Sequence, residues 1–210
     1  MTGSLRGLAE FDAATLYEAA GLRGMVDPAI RHAWSGARLC GRVVTVACPP
    51  GDNLMLHLAV TLAHSGDVLV ASTGNYLLTG AWGEILTVAA QARGIAGLAI
   101  DGAVRDIQAI SSHGFPVFCR GLAIGSCTKQ KIGQVNRPLE FGGVPVRPGD
   151  IVVGDADGLV IIPQDRAEEV YTAALARRRR EQEIMARLRQ GETTLEILGL
   201  TKALETSHER

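Results

Sequence analysis

Arg105 and Asp106 stand side by side just after an apolar run at 97–100 and a glycine turn expected at Asp101-Gly102. A guanidinium suits planar oxygen anions and stays charged at any working pH. A carboxylate suits hard divalent cations such as Mg2+ or Mn2+. A buried strand that delivers this pair at its C-terminal end would serve a metal-bound, anionic small molecule. Upstream, Gly83-Glu84-Ile85-Leu86 opens an amphipathic helix. A helix start offers unpaired backbone N–H groups to an anion.

Each of these residues also has a plainer use. Asp106 is placed to cap a following helix, and Arg105 suits a surface ion pair. Glu84 in a first helical turn offsets the helix dipole by a few tenths of a kcal/mol, and Ile85 and Leu86 suit ordinary helix packing. Lys129 could form a Schiff base, bind a distal carboxylate or lie exposed. No apolar setting that would depress its pKa is evident. Glu181, Glu183 and Glu192 read as exposed helix carboxylates. The five histidines, His32, His57, His64, His113 and His208, have no metal-ligand spacing and read as structural. Asp155 and Asp157 read as turn residues.

Around these residues the chain reads as alternating helices and strands, then as strands. Helices are expected at 13–20, capped by Asp12, at 54–63, capped by Asp52, at 83–92 and near 106–112. Strands are expected at 38–47, 68–71, 97–100 and 116–119, then around 135 and at 139–146, 151–153 and 159–162. A long polar helix follows over 165–190, with Asp165 as N-cap and Gly191 as stop. This order fits one compact α/β domain with mixed sheets covered by helices: a core over 1–164 and a helical extension over 165–210.

With 210 residues, 47% hydrophobic, the chain is long enough for one substantial core. A net charge of -1 and only 4% aromatic residues give no case for nucleic acid as the main ligand. The run Arg177-Arg178-Arg179-Arg180 points around most of a helix and reads as its solvated side. Four cysteines without Cys-x-x-Cys spacing read as reduced thiols, not a zinc site. Without a signal-like leader or a membrane-length apolar run, a cytoplasmic protein is expected.

The motifs together carry a resemblance. Gly74-Asn75, Trp82 to Leu86, Ala89 to Gly94, Asp101 to Asp106, Phe115 to Phe118, Gly133 to Pro138, Gly142 to Val144 and Pro148 to Pro163 resemble the 4-hydroxy-4-methyl-2-oxoglutarate / 4-carboxy-4-hydroxy-2-oxoadipate aldolases over roughly 12–200. These are class II pyruvate aldolases whose fold is shared with the regulators of ribonuclease E activity. The resemblance implies an αββα sandwich related to swivelling β/β/α domains, and a trimer or hexamer with its site between subunits. It implies Asp106 as ligand of Mg2+ or Mn2+, and Arg105 on the pyruvyl part of a small 2-oxo acid. It implies Gly83, Ile85 and Leu86 around the pyruvate carboxylate, Glu84 holding metal-bound water, Lys129 on the distal carboxylate, and Glu181 reaching a neighbouring subunit. The implied reaction is retro-aldol cleavage with oxaloacetate decarboxylation, in protocatechuate and gallate degradation. A regulator of ribonuclease E acting by protein contact, or another 2-oxo acid lyase, is the alternative. Regulator chains usually end soon after the last strand and lack the extended helix.

Overall fold

The computed structural model describes residues 7–201. His208 and the end of the expected extension lie outside them. In chain order the elements are α1 (Ala13–Ala19), β1 (Arg31–His32), β2 (Leu39–Ala47), α2 (Leu54–Leu62), β3 (Asp67–Ser72), β4 (Gly80–Trp82), α3 (Glu84–Ala92), β5 (Gly97–Val104), α4 (Ile107–Ser112) and β6 (Val117–Leu122). There follow β7 (Gln134–Val135), β8 (Leu139–Phe141), β9 (Val144–Val146), β10 (Ile151–Gly154), β11 (Leu159–Ile162), a 3-10 turn (Gln164–Arg166), α5 (Ala167–Arg189) and α6 (Thr194–Ile197). Among the described residues no helix is long and apolar enough to cross a membrane.

One nine-stranded mixed sheet runs β1-β6-β5-β3-β2-β10-β11, with β4 added to β5 and β7 to β2. The β2, β3, β5 and β6 pairings are parallel, and β10 and β11 return antiparallel. Side-chain alternation assigns the faces. Val44 and Val46 of β2, Leu69 and Ala71 of β3, and Leu98 and Ile100 of β5 meet α2, α3 and α4 in one core. Val43, Val68, Val70, Ala99 and Phe118 point the other way, toward Val152, Leu159 and Ile161. The remaining residues of the last strands, Ile151, Val153, Val160 and Ile162, face Leu16 of α1 and Val170 and Ala174 of α5. The sheet therefore curls over itself, and the layers are helices, sheet, sheet, helices.

Local chemistry explains the boundaries. The Asp12 side chain accepts from Thr15 N–H and caps α1. Asp155 accepts from Ala13 N–H at 2.8 Å and from Asp157 N–H at 3.0 Å, tying the β10–β11 turn to that helix. Three expectations need correction. β5 does not end in a turn at Asp101-Gly102: it continues to Val104, and its register with β6 shifts between Ile100 and Ala103. Arg120 holds the Asp101 carboxylate, and a Cβ at Gly102 would stand 2.3 Å from Thr73 Oγ1, so this glycine serves close packing. Asp165 lies within the 3-10 turn and does not cap α5, whose N-cap position is Arg166. Asn53 holds the N-cap position of α2, although Asp52 Oδ1 still accepts from Leu54 N–H at 2.9 Å.

The first two residues of the arginine run are tied down locally. Arg177 pairs with Glu18 and Glu181, and the Arg178 guanidinium lies 4.2 Å from the centre of the Phe11 ring.

Candidate active site

The parallel strands β3, β5 and β4 end at one rim, where a parallel α/β sheet opens its crevice. The cleft there is lined by Gly83, Ile85 and Leu86, by Arg105 and Asp106, and by Asn53, His57, Ser126, Cys127 and Lys129.

Asp106 is the hinge of the arrangement. It sits before α4 but does not cap it; its backbone is left-handed, with φ 58°. That conformation is tolerated by Asp more than by most residues. It turns the carboxylate back to α3, where Oδ2 accepts from Glu84 N–H at 3.1 Å. Arg105 Nε lies 3.5 Å from the same oxygen, and its NH1 donates to Ser126 Oγ at 3.3 Å. Gly83 must be glycine for this approach, because a Cβ there would stand 2.4 Å from Asp106 Oδ2. Within α3, Thr87 N–H reaches the Gly83 carbonyl at 3.1 Å. The N–H groups of Ile85 and Leu86 are the free donors a helix start leaves. Leu86 is buried, while the Ile85 side chain is 77% exposed.

Glu84 contributes its main chain at this point. Its carboxylate lies 3.2 Å from His113 Nε2 at the end of α4, and its side chain is not in the cleft lining. Glu181 is on α5, paired 2.8 Å from Arg177 on the side that packs α1. Lys129 lines the same cleft as Arg105. The segment carrying it is anchored by Asp52, which is 1% exposed. Asp52 Oδ2 accepts from Thr128 Oγ1 at 2.6 Å, Gln130 N–H at 2.7 Å and Lys131 N–H at 3.1 Å. Burial pushes this carboxyl up, but those bonds and the one from Leu54 outweigh it and hold it well below its ordinary range.

Asn53 and His57 escape a sequence reading. They lie one helical turn apart on α2 and both face the cleft. His64 lies beyond the end of that helix. Asn53 is 7% exposed; its Nδ2 donates to the Ala81 carbonyl at 2.8 Å, while its Oδ1 has no partner among the described residues. His57 Nε2 is likewise buried and unpartnered. Burial lowers the His57 pKa below its ordinary value, and the Lys129 charge lowers it further. Cys127 also lines the cleft and donates to Thr79 Oγ1 at 3.1 Å. Burial pushes the Cys48 thiol up to about 12.

The profile of the RraA-like family, described as aldolase/RraA, matches residues 12–161. The chain belongs to this family. The matched stretch runs from the cap of α1 into β11 and contains every cleft residue named above. A Halalkalibacterium halodurans protein named "Putative 4-hydroxy-4-methyl-2-oxoglutarate aldolase" is 42% identical over 137 residues, 65% of this chain and 65% of that one. The chain thus spans just under two thirds of that relative's length.

Among solved structures, an uncharacterized protein of Pseudomonas syringae pv. tomato has a TM-score of 0.87 at 30% identity, covering 95% of this chain and 94% of that one. Streptomyces coelicolor RraAS2, described as an unusual member of the RNase ES inhibitor RraA family, has a TM-score of 0.80 at 26% identity. It covers 89% of this chain and 98% of its own. Coverage that high extends past residue 161, so a C-terminal extension does not by itself separate the aldolases of the RraA-like family from its ribonuclease inhibitors.

Proposed function

We propose that this RraA-like chain is a divalent-metal-dependent pyruvate aldolase, a carbon–carbon lyase acting on 4-carboxy-4-hydroxy-2-oxoadipate or 4-hydroxy-4-methyl-2-oxoglutarate. The products are pyruvate plus oxaloacetate, or two pyruvates, as in protocatechuate and gallate degradation. One observation carries the reading: Asp106, Arg105 and the start of α3 converge, with Asp106 Oδ2 3.1 Å from Glu84 N and 3.5 Å from Arg105 Nε. A carboxylate, a guanidinium and free helix N–H groups at one point match a metal-chelating 2-oxo acid.

Among the described residues no group of three or more His, Cys, Asp or Glu side chains could hold a metal. A single carboxylate still fits Mg2+, which keeps several waters and takes substrate oxygens. Mn2+ suits the same oxygen donors. Asp106 would hold the ion, with water ordered by the neighbouring subunit's copy of Glu181 and by Glu84 once its carboxylate leaves His113 for the cleft. When bound, the ion would polarise the 2-oxo group.

The protein's own groups do the rest. The Ile85 and Leu86 N–H groups bind the pyruvyl carboxylate, and Gly83 leaves room for it. Arg105 lies beside the 2-oxo oxygen and stabilises the negative charge that grows there as the carbon–carbon bond breaks. Lys129 binds the distal carboxylate. Loss of CO2 from oxaloacetate yields the same enolate and needs the same groups. Exposed Leu78, Ile85 and Ile124 around the rim support a homo-oligomer, trimer or hexamer, that closes over the cleft.

The deciding assay is pyruvate release from oxaloacetate and from 4-carboxy-4-hydroxy-2-oxoadipate, with Mg2+ and with chelator. Release in Mg2+ that chelator removes is the expected result. No release from either substrate, together with inhibition of ribonuclease E by the same preparation, would establish the regulator reading instead.

A further inference from the structure

The aldolase reading names no side chain to receive one proton. Cleavage of a 4-hydroxy-2-oxo acid requires the C4 hydroxyl to lose its proton as the C3–C4 bond breaks. The cleft contains few candidates to receive it. Arg105 and Lys129 are cations and have no lone pair to offer. Asp106 faces Glu84 N–H and Arg105. Glu84 is turned toward His113, and Cys127 already donates to Thr79. His57 remains.

The α2 wall carries a matched pair of acceptors. Asn53 Nδ2 faces the Ala81 carbonyl, which accepts only from a donor, so the amide orientation is fixed and Oδ1 is the atom left over. A buried amide oxygen without a donor is costly and calls for one from a ligand. A carboxylate has no proton to give it, but a hydroxyl does. His57 follows on the same helix face, its Nε2 also unpartnered. In the Nδ1-protonated tautomer that nitrogen carries a lone pair.

Building on the aldolase reading, we propose that Asn53 and His57 form the carbinol subsite: Asn53 Oδ1 accepts from the C4 hydroxyl and His57 Nε2 takes its proton. The O–H bond breaks to nitrogen, giving an imidazolium. The oxygen's electrons form the new C4 carbonyl. The C3–C4 pair moves into the enolate of pyruvate, with its charge on the oxygen beside Arg105. The imidazolium gives this proton up to solvent and the histidine is neutral again; C3 of the enolate is protonated from water, as it is after decarboxylation. Burial and the Lys129 charge, which hold His57 unprotonated, suit it to this task.

Oxaloacetate decarboxylation separates this role from a structural one, because that substrate has no hydroxyl proton to remove. With Mg2+-loaded protein, His57→Gln should lower kcat for cleavage of 4-carboxy-4-hydroxy-2-oxoadipate about 100-fold. It should leave oxaloacetate decarboxylation within about 3-fold of the wild type, on the same reasoning. Asn53→Ala, checked for folding by thermal melting, should show the same selectivity with a smaller loss. Oxalate resembles the enolate and has no hydroxyl; calorimetry should find its affinity unchanged in His57→Gln. Equal loss of both reactions, weaker oxalate binding, or cleavage at the wild-type rate each overturns the carbinol subsite. Wild-type protein that catalyses neither reaction overturns the aldolase reading itself, and this subsite with it.

Discussion

One wall of the cleft is made of main chain and the other of side chains. On the β5–α3 wall, position is set by backbone: the left-handed turn at Asp106, the missing Cβ of Gly83 and the N–H groups at the start of α3. On the α2 wall, position is set by side chains and long-range anchors: Asn53 on Ala81, and Asp52 holding the Lys129 segment 76 to 79 residues away. The first wall supplies fixed positive dipoles, a cation and a carboxylate, which suit an enolate and its metal. The second supplies two neutral acceptors and one cation, which suit a hydroxyl and a second carboxylate. Under the aldolase proposal, the substrate that spans both walls carries a 2-oxo acid at one end and a hydroxylated, carboxylated carbon at the other.

The comparison breaks most sharply at Asp106. Asp106→Ala should reduce both cleavage and decarboxylation by about three orders of magnitude, since charge stabilisation at the reacting oxygen is worth several kcal/mol. The fold should persist, because Asp106 is partly exposed and its contacts to Glu84 and Arg105 lie at the rim. A well-folded variant turning over at near-normal rate removes Asp106 from the metal site.

Arg105→Lys is next. Lysine keeps the charge but loses the planar fork that reaches Ser126 and the Asp106 side at once. We expect kcat to fall about 100-fold for both reactions, with a smaller change in KM. An unchanged kcat would mean that Arg105 serves ground-state binding alone.

The walls differ as well in how much of them could be read from the chain. The β5–α3 wall was legible because its residues fall within a short stretch and are marked by glycine next to charge. The turn expected at Asp101-Gly102 was misread, because glycine marks a turn and a close approach by the same absence of a side chain. The α2 wall stayed hidden. Asn53 looks like any helix start and His57 like a polar residue on an amphipathic helix; their significance appears once Lys129 and Ala81 arrive from elsewhere in the chain. Of the αββα layering, the unbroken apolar runs of β10 and β11 suit strands buried on both faces, but the curl that brings them over β2 is a property of the whole sheet.

A third test concerns a wall that one chain does not supply. Glu181 pairs with Arg177 on α5, away from its own chain's cleft lining. If its copy reaches a neighbour's site, Glu181→Ala should lose about 10-fold in kcat, as partners that orient metal ligands and waters typically cost. Mixing Asp106→Ala with Glu181→Ala should then restore activity in hybrids whose subunit exchange is verified by mass spectrometry. Normal activity in Glu181→Ala alone would reduce the residue to a surface ion pair, and dead hybrids would turn attention to Glu183 or Glu192.

The smallest effect should come from Asp52, and it tests whether the α2 wall depends on its anchor. Oδ2 accepts three bonds and Oδ1 one, so an amide in its place must turn an NH2 group toward at least one donor. Asp52→Asn should therefore cost about 1–3 kcal/mol of stability at neutral pH. Since the folded-state pKa of Asp52 lies below its ordinary value of 3.8, the unfolded chain takes up this proton first. The contribution is fully present above that value and is lost as pH falls from it through the folded-state pKa. Wild-type stability in urea should accordingly decline more steeply below about pH 4 than that of Asp52→Asn, which has no carboxylate to protonate there. The two curves should approach each other as the pH is lowered. KM for the distal carboxylate should rise several-fold at neutral pH while decarboxylation kcat holds, because the loosened segment carries Lys129 and leaves the β5–α3 wall untouched. Parallel stability curves at all pH values would show that the Asp52 charge does not anchor this wall.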